Sequence, residues 1–170
     1  MIRAWHFLSG DKLRDGTTAP PDGQWLHYDG PLVMCESGLH ASIDPFDALQ
    51  FAPGNTLCLV ECDGRIIEAE DKLVCSRRRI VVRMDAEPLL RWFARQQALS
   101  IIHIYSEPAD CVLDYLMGDD AARDAARAAA NDAASAAAWD AAWAAAWDAA
   151  NDAARKDFNA LVLEAFEDWL

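Results

Sequence analysis

The sequence predicts an α+β fold: a small mixed or antiparallel sheet with short helices, followed by an alanine-rich long helix or helical hairpin. Three observations carry this expectation. Short apolar runs bounded by Gly, Pro and Asp recur through the first 85 positions, as strands require. From about residue 86 the apolar spacing becomes helical, and beyond Gly118 the chain is mostly alanine interrupted by Asp, Arg, Asn and Trp. The 170 residues then divide into a compact α+β domain, 1–118, and a helical element, 119–170, docked through its C-terminal amphipathic segment.

The elements follow in order. AWHFLSG, 4–10, reads as an aromatic-rich strand ended by Gly10, and DGTTAPPDGQW, 15–25, as an irregular or edge-forming passage. In PLVMCESGLHAS, 31–42, Gly38 marks a bend between two short extended pieces. SIDPFDALQF, 42–51, is a short helix with Ser42 or Asp44 as cap and Pro45 in its first turn. NTLCLVEC, 55–62, is the clearest strand; a tight turn at Asp63-Gly64, a short strand at Ile66 and Ile67, and a second clear strand at 79–84 are expected after it. EPLLRWFARQQ places Leu89, Leu90, Trp92 and Phe93 at helical spacing, with a short strand or turn at 100–105 and a helix from Pro108 to Met117.

Beyond Gly118 a four-residue period sets in, with Trp139, Trp143 and Trp147 among its members and aspartates one place later at 120, 124, 132, 140, 148 and 152. A step of four overshoots a helical turn by about 40°, so no fixed stripe persists. Alanine nevertheless favours helix strongly, with breaks expected at Asn131 to Ser135 and at Asn151. A conventional stripe returns at the end, where Phe158, Leu161, Val162, Ala165, Phe166 and Trp169 should dock on an apolar surface.

Charge separates the function classes. Twenty-eight acidic against 15 basic residues give a net charge of -13, which disfavours direct contact with nucleic acid and favours a protein partner with a basic surface. Residues 1–118 hold 17 acidic and 11 basic groups, and 119–170 hold 11 and 4, so the tail is the more acidic per residue. SRRRI, 76–80, with Lys72 and Arg83, is the main basic concentration. Acidic residues bracket it, so pairing within the chain, including with the aspartates of the repeat, is preferred to a phosphate patch.

Five cysteines, at 35, 58, 62, 75 and 111, leave one unpaired in any monomer, and no leader or bilayer-length apolar run is visible; a reducing cytoplasm is expected. Cys58 and Cys62 should share one strand face. His6, His27, His40 and His103 lack metal-ligand spacing, and no metal site is predicted, although His40, Cys35 and a further cysteine are the donor types zinc takes.

The segment CESGLHAS, then FAPGNTLCLVECDG and AEDKLVCSRRRIV, resembles an uncharacterised family of small bacterial and phage proteins with a C-x-x-G-[FLY]-H signature and a D-K-[LV]-V element. Cys35, Gly38, Leu39, His40, Asp71, Lys72 and Val74 fill those positions, and some members carry similar Ala/Trp/Asp repeat tails. The resemblance implies a mobile-element context and a compact N-terminal domain. A fainter one is to ADP-ribosyltransferase-like folds: WHFLSG with His6, and GLHAS with His40 and Ser42 ahead of DALQF, are similar in order. It implies a histidine on the ribose of NAD, an aromatic ring on the nicotinamide, and a carboxylate, for which Glu61 or Glu107 stands available.

The first functional expectation is therefore a cofactor-free acidic protein-binding module of phage or mobile-element type. It would inhibit a bacterial nucleic-acid-handling or defence complex, as anti-CRISPR proteins do, by occupying a basic surface. Asp120, Asp124, Asp132, Trp139, Asp140, Trp143, Trp147 and Asp148 are its partner-binding residues, unless the tryptophans serve internal packing or a homodimer through the alanine-rich helices. The alternative is an NAD-using enzyme with His6, His40, Ser42 and Glu61 about a cleft. No membrane partner is expected.

Overall fold

The computed structural model describes residues 1–102, 108–134 and 143–170, the side chains of 101, 129–134 and 143–151 excepted. The fold is α+β, with an antiparallel sheet, one helix between its third and fourth strands, and further helices after it. Two compact units are present, residues 1–88 with 155–170, and residues 89–154.

The first unit is built on β1 (Ile2–Leu8), β2 (Trp25–His27), β3 (Leu39–Ala41), β4 (Thr56–Glu68) and β5 (Leu73–Asp85). Their order is β1-β4-β5-β2, with β3 also pairing β5. A backbone bridge between Trp5 and Ser42 brings the end of β3 back to β1, so β1, β4, β5 and β3 follow one another round a ring.

Strand alternation gives this ring two faces. On the inner one, Ala4 and His6 of β1 stand opposite Val60 and Cys58 of β4, and Cys62, Cys75, Leu73 and Ile80 join the same buried cluster. Cys58 and Cys62 thus share a face, as their spacing predicts. Ala19 of the irregular passage belongs to this cluster, and Leu13, which precedes that passage, packs against it.

The outer face carries Trp5 and Phe7 opposite Leu59 and Leu57. Here the C-terminal stripe lands. Phe158, Val162 and Phe166 are 0–1% exposed. The Phe166 ring meets Trp5 edge-on at 5.0 Å, and Phe158 meets Phe46 at 6.0 Å. Arg3 Nη1 donates to the main-chain oxygens of Trp169 and Leu170 at 2.9 and 2.6 Å.

Several elements differ from expectation. Asp63-Gly64 makes no hairpin turn: β4 runs on to Glu68 and absorbs Gly64, at φ 79, as a bulge. Register resumes at Ile66 opposite Cys75, with the Arg65 N–H donating to Ser76 Oγ at 2.9 Å. The reversal comes later, where the Ala69 N–H donates to the Lys72 carbonyl at 2.8 Å. β5 consequently starts at Leu73 rather than 79, and SRRRI lies in mid-strand. Strand β1 occupies 2–8 rather than 4–10, and the passage before Gln24 leads into an edge strand, β2, paired to β5 at 77–79.

Helix α1 (Pro45–Gln50) starts after Asp44 as expected, but neither Ser42 nor Asp44 supplies a side-chain cap. Asn159 Oδ1 accepts from the Phe46 N–H instead, at 2.9 Å, so a residue of the C-terminal segment satisfies the helix start. Beside it Arg155 Nη1 contacts Asp47 at 2.6 Å and Asp44 at 3.5 Å. Burial pushes the Asp47 carboxyl up from its usual range, and the bond from Arg155 opposes this without outweighing it.

Replacing Arg155 by alanine should therefore cost about 1–2 kcal/mol at pH 7, a value kept low because Arg155 is about a third exposed. The raised Asp47 value means that the folded state holds its proton more tightly than the unfolded one. The R155A deficit should thus shrink as pH falls toward 4 and Asp47 becomes neutral, which urea unfolding at pH 7.5 and 4.5 measures.

Helix α2 (Glu87–Ile101) leads from the first unit into the second, which contains α3 (Asp110–Met117) and α4 (Arg123–Ala134). Residues 100 and 101 are helical rather than extended, while 103–107 lie outside the described residues. α3 ends at Gly118, where the Asp119 N–H closes on the Asp114 carbonyl at 2.9 Å. Arg95 stacks over Tyr115 at 4.6 Å and contacts Asp120 at 2.5 Å.

α4 stays helical from Asn131 to Ala134, against the break expected there, and Ser135 lies outside the described residues; α5 (Trp143–Ala165) runs unbroken through Asn151. Its alanine neighbours outweigh the weak helix propensity of one asparagine. Residues 135–142 lie outside the described residues, so the expected choice between one long helix and a hairpin falls there. Among the described residues no helix is long and apolar enough to cross a membrane.

Candidate functional site

The hexapeptide CESGLH folds as a turn that feeds β3. Val33 and Ser37 exchange backbone hydrogen bonds at 3.0 and 2.9 Å, which holds Cys35 in the turn at φ 64. Its N–H donates to His40 Nε2 at 2.9 Å. Gly38, at φ 113, lets the turn lie directly on β5: a Cβ there would meet Val74 Cγ2 at 2.4 Å and Leu32 Cδ2 at 2.8 Å. His40 is thereby paired with Val74, and its carbonyl accepts from Arg78 Nη1. The spacing of Cys35, Gly38 and His40 is therefore the geometry of one turn, with each residue fixing the next.

This turn forms one wall of a cleft of about 810 Å³, within the size range of small-molecule sites. His6 enters from β1, Arg78 from β5, and Ser42 from the end of β3; Tyr28, Arg14 and Lys72 complete the surround. Lys72 pairs with Asp71 at 3.3 Å and lies over the Phe51 ring at 4.2 Å.

The charges that act on the two histidines of the cleft are positive although the chain is acidic. Burial lowers the His6 pKa well below its ordinary value, and the positive charges of Arg78 and Arg14 and the neighbouring His40 act in the same direction. Burial also lowers His40, helped by Arg78, Lys72 and Arg14 and opposed by a hydrogen bond to the Gly38 backbone. His40 Nε2 accepts from Cys35, so its proton belongs on Nδ1 and the ring is neutral.

A depressed histidine pKa carries a stability consequence. Below about 6.5 the unfolded chain takes up protons that His6 in the folded chain refuses, so stability present above that pH is lost as pH falls toward the folded value. Unfolding midpoints at pH 7.5, 6.5 and 5.5 should fall for the wild type, and His6→Gln should flatten that decline. An equally steep decline in the variant would mean that His6 titrates normally.

The three arginines of SRRRI behave differently because strand alternation divides them. Arg77 pairs with Asp63 at 2.5 Å and Arg79 with Glu61 at 2.6 Å, and both guanidinium groups lie over Trp25. Arg83 pairs with Asp22 at 2.5 Å. The basic run is thus neutralised by carboxylates of its own unit. Arg78 alternates to the inner face, is 5% exposed, and makes no ion pair among the described residues.

His6, His40 and Ser42 are therefore brought together, and Glu61 is not. Glu61 lies opposite Arg3 and Arg79 on the outer face, in contact with both, at 3.9 Å from Arg3. The carboxylates on the cleft wall are Asp15, tied to Thr17 at 2.6 and 2.9 Å, and Glu36. Glu107 lies outside the described residues. Asp120, 64% exposed, contacts Arg95, and Asp124 is exposed on α4. The side chains of Asp132, Trp139, Asp140, Trp143, Trp147 and Asp148 lie outside the described residues. Among the described residues no group of three His, Cys, Asp or Glu side chains is arranged to hold a metal.

Arg78 went unnoticed in the sequence because its two neighbours are ordinary paired surface arginines. The available signal was period two: in a strand, the middle of three arginines must face the other way.

Residues 14–91 match the model of a family described as Domain of unknown function (DUF7666). The matched region spans β2 to β5 and holds the whole CESGLH turn and Arg78, while His6 precedes it. No curated protein and no solved structure gives a significant match.

Proposed function

We propose that the first unit is a ligand-binding body whose cleft takes a nucleotide of the NAD class. The observation that carries this is the convergence of His6 from β1 with His40 and Ser42 from β3 on one cleft of small-molecule size. The neutral His6 imidazole offers both a donor and an acceptor to ribose hydroxyls, while His40, its ring nitrogens held by Cys35 and Gly38, shapes the wall; Tyr28 provides an aromatic ring there and Arg78 a cation for the phosphates. Glu61 points away from the cleft, so the reading is of nucleotide binding and assigns no catalytic carboxylate.

Titration calorimetry of the intact chain with NAD tests the reading. Binding that is weakened by His6→Ala, in a variant with an unchanged circular dichroism spectrum, is the expected result. An absence of heat and of any thermal stabilisation at millimolar NAD would overturn it.

A second reading concerns residues 119–170 and rests on the exposure of Asp119, Asp120 and Asp124 in the most acidic part of the chain. It is an interaction with a protein of basic surface, of the kind a phage-borne inhibitor of a defence complex would target. Joint reversal of Asp120, Asp124, Asp132, Asp140 and Asp148 to lysine should abolish capture of that partner by the intact chain. Unchanged capture would remove this reading.

A further inference from the structure

We propose that Arg78 is the anchor of an oxyanion site that takes the phosphate or pyrophosphate group of a small ligand. The proposal begins with what Arg78 lacks. A guanidinium has five N–H donors, and the hydrogen bond to the His40 carbonyl accounts for one. Its neighbours on β5 each have a carboxylate, Asp63 for Arg77 and Glu61 for Arg79, whereas Arg78 has none among the described residues. It is nevertheless 5% exposed and lines the cleft.

A buried cation without a counter-ion is costly, and proteins keep such a group where an anion completes it. The groups of opposite sign that act on Arg78 are the thiols of Cys62, Cys75 and Cys58. Burial pushes the Cys58 thiol up to about 12, and a hydrogen bond with Cys75, together with burial, pushes Cys62 up as well. Neither of these supplies a negative charge at ordinary pH. The hydrogen bond with Cys62 and the charge of Arg78 lower Cys75, yet its Sγ lies 3.1 and 3.3 Å from the Arg77 and Leu39 carbonyls, acceptors that only the protonated thiol can serve.

The remaining chemistry of the cleft selects the ligand. Arg14 and Lys72, the latter paired with Asp71, also act on His40 from the cleft wall, which with Arg78 favours an anionic group. The planar fork of an arginine matches two oxygens of a phosphate. Neutral His6 lies beside it as an uncharged hydrogen-bond donor. Asp15, Glu36 and Arg14 are all exposed, whereas Arg78 is buried, so the buried end of the cleft holds a cation without a carboxylate.

This inference deepens the nucleotide reading by naming the part of the ligand that is recognised, and the two are separable. Inorganic pyrophosphate, NAD and adenosine are titrated calorimetrically into the intact chain at constant ionic strength. The same titrations are made with Arg78→Met, which keeps length without charge, and with Arg78→Lys, which keeps charge without the fork. Pyrophosphate should bind the wild type and raise its melting temperature above that in matched chloride. Its affinity should fall roughly ten- to a hundred-fold in R78M, with the ligand-free melting temperature unchanged or higher, an outcome that a purely structural arginine would not give.

Absence of pyrophosphate binding to the wild type, or equal binding by R78M, overturns the proposal. If R78M does not fold, R78K decides, since undiminished affinity there would show that the fork is not used. Pyrophosphate binding without any gain from NAD would leave the anion site standing and end the nucleotide reading. NAD binding that is equal in wild type and R78M would do the reverse.

Discussion

Phe166→Ala and Phe158→Ala should each destabilise the protein by about 3–5 kcal/mol, measured by urea unfolding of the intact chain. Both rings are at most 1% exposed and pack edge-on against aromatic partners, Phe166 on Trp5 of β1 and Phe158 on Phe46 of α1. Truncation removes the transfer free energy of the ring, leaves a cavity, and forfeits an aromatic contact worth roughly 0.5–1.5 kcal/mol. Against a total stability of about 5–15 kcal/mol for a small domain, either loss is large. Leu163→Ala is the control, because Leu163 lies between them in sequence yet is 43% exposed and should change little. Equal losses at 163 and 166 would show that the C-terminal segment does not pack on the outer face.

Gly38→Ala should cost roughly 2–4 kcal/mol, from the sum of two effects. At φ 113 an alanine is strained, and its methyl would overlap Val74 of β5 and Leu32. Gly23→Ala separates the terms: φ is 83 there but nothing lies within 4 Å of the added carbon, so it carries the conformational cost alone. The larger loss at Gly38 should come with disorder of the His40 pairing, seen as faster exchange of the amides at 39–41. If the two variants lose equal stability, β3 does not lie as close to β5 as described.

Much of the fold was legible because it follows from period and propensity. The strand at 55–62, the Asp44–Pro45 helix start and the stripe of Phe158, Val162 and Phe166 each state their geometry locally. What misled was the Asp63-Gly64 dipeptide, which has the composition of a hairpin turn. Whether such a pair turns or bulges depends on the partner strand, and Ile66 and Ile67 gain more by continuing opposite Cys75 and Val74 than by reversing. That misplacement hid the length of β5 and, with it, the inward direction of Arg78.

The candidate site was half legible for a similar reason. His6, His40 and Ser42 sit at strand positions whose order along the chain is informative. Glu61 was assigned without knowledge of its face, and the register with Arg79 places it on the other side of the sheet. The tertiary cap from Asn159 to Phe46 had no local signal at all, since it joins residues far apart in sequence.

The docking of residues 155–166 on the outer face has a consequence for biosynthesis. As the polypeptide leaves the ribosome, β1 and α1 emerge with Trp5 and Phe46 lacking their aromatic partners, and the whole alanine-rich repeat must be translated before Phe158 and Phe166 arrive. A nascent product terminated anywhere in the repeat would keep that greasy side bare and fall to chaperones and proteases. Translation through Phe166 is in this way a condition for a mature sheet.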